Sequence, residues 1–337
     1  MNAVYALLAV AALICAGILA GTSTLTGTLL GVAVPYAACA IFLGGICARI
    51  WRWAATPVPF RIPTTCGQQK SLSWIKSATF DNPSTGIAAA VRMALEVLLF
   101  RSLFRNTRSK VAEGKASFGE SKFLWLGALG FHWSLLMILL RHVRLLVEPV
   151  PAFVLLLQRV DGFFQVGVPV VYASDVIVVA SLAYLLLRRM REPMVRYISL
   201  FTDYFALFLL LGIALSGVLM RHAARVDVAA IKQFALGLAT FHPVIPQILS
   251  PVFMVHLLLV STLAAYLPFS KLMHMGGIFL SPTRNLANNN RSERHVNPWN
   301  YPVKTHTYQE WEDEFRDKII TAGLPLEVED VRKTTAD

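Results

Sequence analysis

The sequence predicts an all-α fold: a polytopic membrane bundle of about six transmembrane helices. Apolar runs recur at 3–20, 29–48, 123–147, 168–187, 197–220 and 247–270. Each approaches the roughly 20 residues that a helix needs to cross the hydrocarbon core. Only 15% of the 337 residues are charged, 55% are hydrophobic and the mean hydropathy is +0.56, whereas a soluble domain carries about 25% charged residues. That excludes an ordinary soluble enzyme and a disordered chain. The runs are too long for strands, and in lipid their backbone groups are satisfied only in helices or closed barrels.

The first run, Met1 to Ala20, is apolar but lacks a basic leading region, so it reads as a retained membrane helix. Segment 49–122 is long and holds twelve Lys or Arg. Within it, 84–106 mixes Ile87, Val91, Leu95, Leu98 and Leu99 with Arg92, Glu96, Arg101 and Arg105, the pattern of a helix lying along the membrane interface. Loop 188–196 carries Arg188, Arg189, Arg191 and Arg196, and the tail 271–337 carries nine basic residues. The intervening connections hold only Arg141, Arg144, Arg159, Arg221, Arg225 and Lys232. Basic loops mark the cytoplasmic side, so the reading is a multi-pass protein of the cell inner membrane with both termini cytoplasmic. The net charge of +11 then belongs to these lipid-facing loops and not to nucleic-acid binding. The tail opens with a loop-like stretch, Ser281 to Asn300. It then predicts a short acidic helix over Glu310 to Asp317, and the tail as a whole is rich in aromatics (Trp299, Tyr301, Tyr308, Trp311, Phe315) that suit docking to a partner.

The four cysteines, Cys15, Cys39, Cys47 and Cys66, show no C-x-x-C spacing, so zinc ribbons, thioredoxin-type sites and covalent c-type haem lack their usual signature. The histidines are more informative. His132 lies within one apolar run, with His142 ten residues on. His256 lies within the last run, with His274 eighteen residues on. An ionisable side chain in a membrane is costly and marks a functional site, and neutral imidazole is an axial ligand of haem iron. On ideal helices His132 and His142 are roughly 15 Å apart along the axis, and His256 and His274 roughly 27 Å apart on one face. The two helices run antiparallel, so depth groups His142 with His256 toward the outer side and His132 with His274 toward the inner side. A crossed His142–His274 pair would bridge most of the membrane. A single haem held by His132 and His256 near mid-depth stays open. His222 and His242 fall at the outer surface, and His295 and His306 in the tail.

These paired spacings resemble the nitrate reductase gamma subunit family, dihaem cytochrome b quinol oxidases, over roughly residues 29–275. The resemblance implies a five-helix cytochrome b core holding two haem b, with His132 and His274 ligating the haem nearer an iron–sulfur partner and His142 and His256 the haem nearer the quinone (menaquinone or ubiquinone). Arg141, Arg144, Arg221 and His222 become candidates for quinone-carbonyl or propionate contacts, although Arg141 stands where that family has a glycine. The extra first helix (1–28), the cytoplasmic insertion 49–122 and the tail 276–337, with its stretch Thr307 to Lys318, are similar to the DsrM branch of dissimilatory sulfur metabolism. That branch implies a DsrK-like cytoplasmic iron–sulfur subunit, a multihaem cytochrome c, a periplasmic iron–sulfur protein and a second membrane subunit. The chain itself would then be the electron-transfer subunit of a quinone-linked oxidoreductase complex. Two rival classes are a redox-silent membrane anchor, which leaves the histidines unexplained, and a proton-coupled transporter, which usually shows repeated halves that this sequence lacks.

Overall fold

The computed structural model describes residues 1–21, 24–56, 67–112, 115–243, 250–289, 302 and 304–327. Cys66, His295, Trp299 and Tyr301 lie outside the described residues. Residues 1–56 and 61–293 form one compact unit, and residues 57–60 with 294–337 form a second.

The first unit is a helical membrane bundle. Helix α1 spans Asn2–Ala20 and α2 Leu25–Ala54, the latter with a π-helical turn at Leu29–Ala33. Then come α3 (Gly86–Leu99) and the one-turn α4 (Arg101–Phe104), followed by an antiparallel hairpin of β1 (Thr107–Ala112) and β2 (Lys115–Glu120). Helix α5 (Lys122–His142) continues in a 3-10 turn to Leu145. The rest is α6 (Ala152–Asp161), α7 (Ala173–Arg191), α8 (Pro193–Ile198), α9 (Phe201–His222), α10 (Val228–Ala239), α11 (Pro251–Tyr266), α12 (His274–Leu280) and α13 (Pro282–Asn285).

Among the described residues five helical stretches are long and apolar enough to cross a membrane: Asn2–Ala20, Leu25–Ala54, Lys122–Leu145, Phe201–His222 and Pro251–Phe269. The sixth expected span, 168–187, is displaced. Residues 168–172 are not helical, and α7 runs from Ala173 into the arginines of its last turn. It still packs in the bundle, because Gly127 and Gly130 of α5 let Tyr184 and Ser181 approach closely. The hairpin departs from the all-α expectation. Its residues alternate without an apolar face, and β2 is exposed throughout, so nothing in its hydrophobic pattern announces a strand.

Helix α1 is part of the core. It lies against α9 and α11, and Val10 packs with Leu209, Val255 and Leu259. Gly17 is the closest approach: a Cβ there would stand 2.7 Å from the Val255 Cα, and such small residues are what allow membrane helices to touch. Polar contacts gather the helix ends into two sets. At one end Asn2 donates to the Ser199 carbonyl, Arg189 reaches Ser199, and Lys271 pairs with Asp203 at 2.8 Å. Gly21 touches Pro251 at the other.

The last span is not one continuous helix. After Tyr266 it tightens into a 3-10 turn at Leu267–Phe269, turns extended at Ser270, and restarts at His274. Pro268 has no N–H to continue the α-helical ladder. The ideal-helix relation between His256 and His274 therefore does not hold.

The helix expected to lie along the interface is α3, and its C-terminal end is held to α5 by Trp125 and Trp133. Its polar face is latched to the segment after α12. Arg92 donates to the carbonyls of Arg284 (2.6 Å) and Leu286 (3.3 Å). Arg284 pairs with Glu96 at 2.8 Å and donates to Ser102. Asn288 donates its backbone N–H to the Pro83 carbonyl and its side chain to Asn82. Asp81 receives Arg101 and Arg105.

In the second unit, α14 (Tyr308–Thr321) has a capping box in which Thr307 and Glu310 exchange side-chain-to-backbone bonds. Tyr308, Trp311 and Phe315 form a ladder of tilted rings 5.6 and 5.7 Å apart.

Gly17→Val should lower stability by about 1–3 kcal/mol through overpacking, read as a drop in the thermal midpoint of the detergent-solubilised protein. The latch should also respond to acid. Burial raises the Asp81 pKa, but the hydrogen bonds from Arg105 and Arg101 outweigh it and hold the carboxyl below its ordinary 3.8. A depressed carboxylate contributes stability that is complete above its unfolded pKa and is lost as pH falls through the folded value. Hydrogen exchange over residues 81–105 should therefore stay slow at neutral pH and quicken below about pH 4. The Asp81→Asn protein should lack that acid-dependent change.

Candidate functional site

Four imidazoles sit on α5, α11 and the start of α12. His132 Nδ1 donates to the Ala128 carbonyl at 2.7 Å, and His142 Nδ1 to the Ile138 carbonyl at 2.7 Å. Both bonds run back one helical turn, to i−4. His274 Nδ1 donates to the Lys271 carbonyl at 2.9 Å. His256 Nδ1 lies 2.9 Å from Ser216 Oγ, whose own proton goes to the Ile213 carbonyl at 3.0 Å. Ser216 must therefore accept from His256. A carbonyl only accepts, so all four rings are fixed with the proton on Nδ1, and each Nε2 presents its lone pair. Among the described residues no hydrogen bond is made to any of these four Nε2 atoms. Holding the remote N–H in this way is how proteins orient histidines that ligate metals. His242 makes a similar bond to Thr240, but on an exposed turn without a second histidine beside it.

The bend at Ser270 brings His274 to His132. Their ring centroids are 5.9 Å apart, with the planes at 83°. A metal–imidazole bond is about 2 Å, so two rings on opposite sides of one metal stand roughly 6 Å apart, centre to centre. His142 ends α5 and His256 lies in the second turn of α11, at the other end of the bundle. Gly217 keeps the wall beside the His256 ring open: a Cβ there would sit 3.5 Å from its Cε1. Among the described residues no group of three or more His, Cys, Asp or Glu could hold a metal ion. A haem asks for only two protein ligands, and the donor set fits it. Phe131 and Phe100 supply aromatic edges against the His132 ring at 4.8 and 4.9 Å.

The cationic residues expected near the outer pair have distinct surroundings. Arg141 is buried and committed. Its Nε is 3.1 Å from Asp161, and its Nη2 is 2.6 Å from Asp175 and 3.0 Å from Ser174 Oγ. Asp161 also accepts from the Ser174 backbone N–H and hydroxyl at 2.8 and 2.7 Å. This arrangement ties together the ends of α5, α6 and α7, one residue from His142. The Tyr172 ring lies beneath both Arg141 (3.9 Å) and Arg221 (4.4 Å), and Arg221 also donates to the Val170 carbonyl. Among the described residues Arg144 and His222 have no side-chain hydrogen bond or ion pair, and both are half-buried.

Reading the sequence for cations missed the anions. Asp161 and Asp175 flank loop 162–172, and an acidic residue in the first turn of an apolar helix was the available signal. Removing Asp161 breaks a buried ion pair, so Asp161→Ala should cost about 3 kcal/mol, and Asp161→Asn less, because an amide oxygen still accepts from Ser174. Thermal unfolding in detergent of the two variants side by side checks this order.

Comparison with known proteins fits this arrangement. Residues 90–290 match the nitrate reductase gamma subunit family model. The Hdr-like menaquinol oxidoreductase cytochrome b-like subunit of Archaeoglobus fulgidus is 47% identical over 280 residues, covering 81% of this chain and 84% of the relative. The protein of the same description from Archaeoglobus profundus is 42% identical over 274 residues, covering 79% and 81%. The chain belongs to the nitrate reductase gamma subunit family.

Proposed function

We propose that this chain is a dihaem cytochrome b subunit that carries electrons between a quinone pool and an iron–sulfur partner on the cytoplasmic side, with both termini in the cytoplasm. One observation carries the reading. Four histidines locked as Nδ1–H tautomers fall at two ends of one bundle, and the rings of one pair stand at the separation that a shared metal requires. His132 and His274 hold one haem b, and His142 and His256 the other. When bound, these groups supply one-electron carriers between a two-electron donor and a one-electron cluster chain.

The chain's own residues do the rest. Ala128, Ile138, Lys271 and Ser216 fix the imidazoles so that Nε2 faces the metal. The quinone site lies at the outer end, beside His142, where quinol gives up two protons to the outside and its electrons pass inward. Arg144 and His222 are suited to quinone carbonyls or propionates, whereas Arg141 serves as the clamp on Asp161 and Asp175. Menaquinone is favoured over ubiquinone, because both relatives are named menaquinol oxidoreductase subunits. Their description as Hdr-like fits the heterodisulfide-reductase-like, DsrK-like partner of the sulfur-metabolism branch. The aromatic ladder on α14 suits docking to that partner.

A pyridine haemochrome assay on the purified chain should give two b haems per polypeptide. His132→Ala and His274→Ala should each remove the same one, and His142→Ala and His256→Ala the other, as separated by redox titration. One haem per chain, lost in both His132→Ala and His256→Ala, would replace this reading with the single-haem arrangement. A colourless, folded protein from haem-replete cells would leave only a membrane anchor.

A further inference from the structure

Helix α3 is built inside out for water. Its only charged residues, Arg92 and Glu96, are 2% and 8% exposed, held by the latch to Arg284 and its neighbours. Its exposed stripe runs through Ile87, Ala90, Val91, Ala94, Val97 and Leu98 without a polar side chain. Ile87 is 82% exposed. A helix bordering water shows the reverse order.

The end of this helix is also unusual. The last carbonyls of a helix have no partner within it and normally turn to water. Here Trp133 Nε1 donates to the Leu98 carbonyl at 3.0 Å, and Trp125 Nε1 donates to the Leu99 carbonyl at 2.7 Å. Phe100 then adopts a left-handed conformation (φ 50°, ψ 46°) and turns the chain into α4. Its ring meets His132 edge-on at 4.9 Å, and Phe104 meets Trp125 at 4.9 Å on the way back. His132 and Trp133 lie ten and eleven residues into α5, roughly 15 Å from Lys122 at about 1.5 Å per residue. The chain goes in and returns on one side of the bundle, because β1 and β2 lead directly to Lys122.

We infer that residues 86–104 form a re-entrant membrane hairpin, with the stripe from Ile87 to Leu98 facing the acyl chains of the bilayer. On α5 the apolar side chains of Leu126 and Leu136 are likewise exposed. Lipid offers no hydrogen bonds, so helix ends at membrane depth persist only where protein satisfies them, and the two indoles do that. The polar latch faces the protein interior. The inference does not depend on whether haem binds.

The test uses the full-length chain in liposomes. With Cys15, Cys39, Cys47 and Cys66 replaced by serine, I87C, V91C and L98C carry a nitroxide label, alongside L126C on α5 and E120C on the exposed strand. Collision with oxygen should exceed collision with a water-soluble nickel chelate at all three hairpin sites, as at L126C, and the ratio should invert at E120C. Nickel-dominated collision at L98C, or shielding of all three sites from both reagents, would overturn the inference, the second result by showing protein over the stripe. Photoreactive benzoylphenylalanine at Leu98 in the otherwise unchanged chain gives a reading that needs no cysteine removal. Crosslinks to lipid support the hairpin; crosslinks to protein, or none, overturn it.

Discussion

The bilayer offers no hydrogen bonds, and the polar groups placed where this protein's helices break or end answer to that. The spans are helical because a helix satisfies its own backbone. Where the pattern breaks, side chains take over. Indoles cap the end of α3. Ser270 accepts from the Leu272 N–H just past the break in the last span. A buried guanidinium beside His142 in the sequence, that of Arg141, is matched by two carboxylates and a serine. Each of the four site histidines donates its Nδ1–H to a fixed acceptor. The tautomer is therefore settled by the scaffold, and the reactive face of the ring is left for a ligand.

Much of this was legible in the sequence because membranes impose simple rules. Run lengths located most of the helices, and the acidic stretch Glu310 to Asp317 marked the middle of α14, which begins earlier, at Tyr308. Other features depend on contacts between distant residues. No periodicity connects Arg141 to Asp161 and Asp175. The bend that carries His274 to His132 arises from Pro268 and an extended Ser270, whereas ideal-helix arithmetic assumes a straight rod. Helix α3 is a different case. Its mixture of Arg92 and Glu96 with apolar residues reads as an interfacial amphipath, and the partners that cover those charges lie almost two hundred residues away in the chain. The hairpin of β1 and β2 had no apolar alternation to betray it.

The candidate site rests on the same division. The histidine spacings were visible because they are read directly along the chain. What orients them was not, since Ser216 lies forty residues from His256 and sits beside it only after α9 and α11 pack. Phe100 is a similar case, an aromatic in a basic segment that ends up against His132.

The contact of Gly17 with Val255 has a further consequence. Residues 90–290 match the family model, α1 and α2 lie before them, and α11 bears His256 between those two helices and α9. A chain trimmed to residues 90–290 would expose one flank of the histidine-bearing helix, so the two leading helices act as a retaining wall for the candidate site.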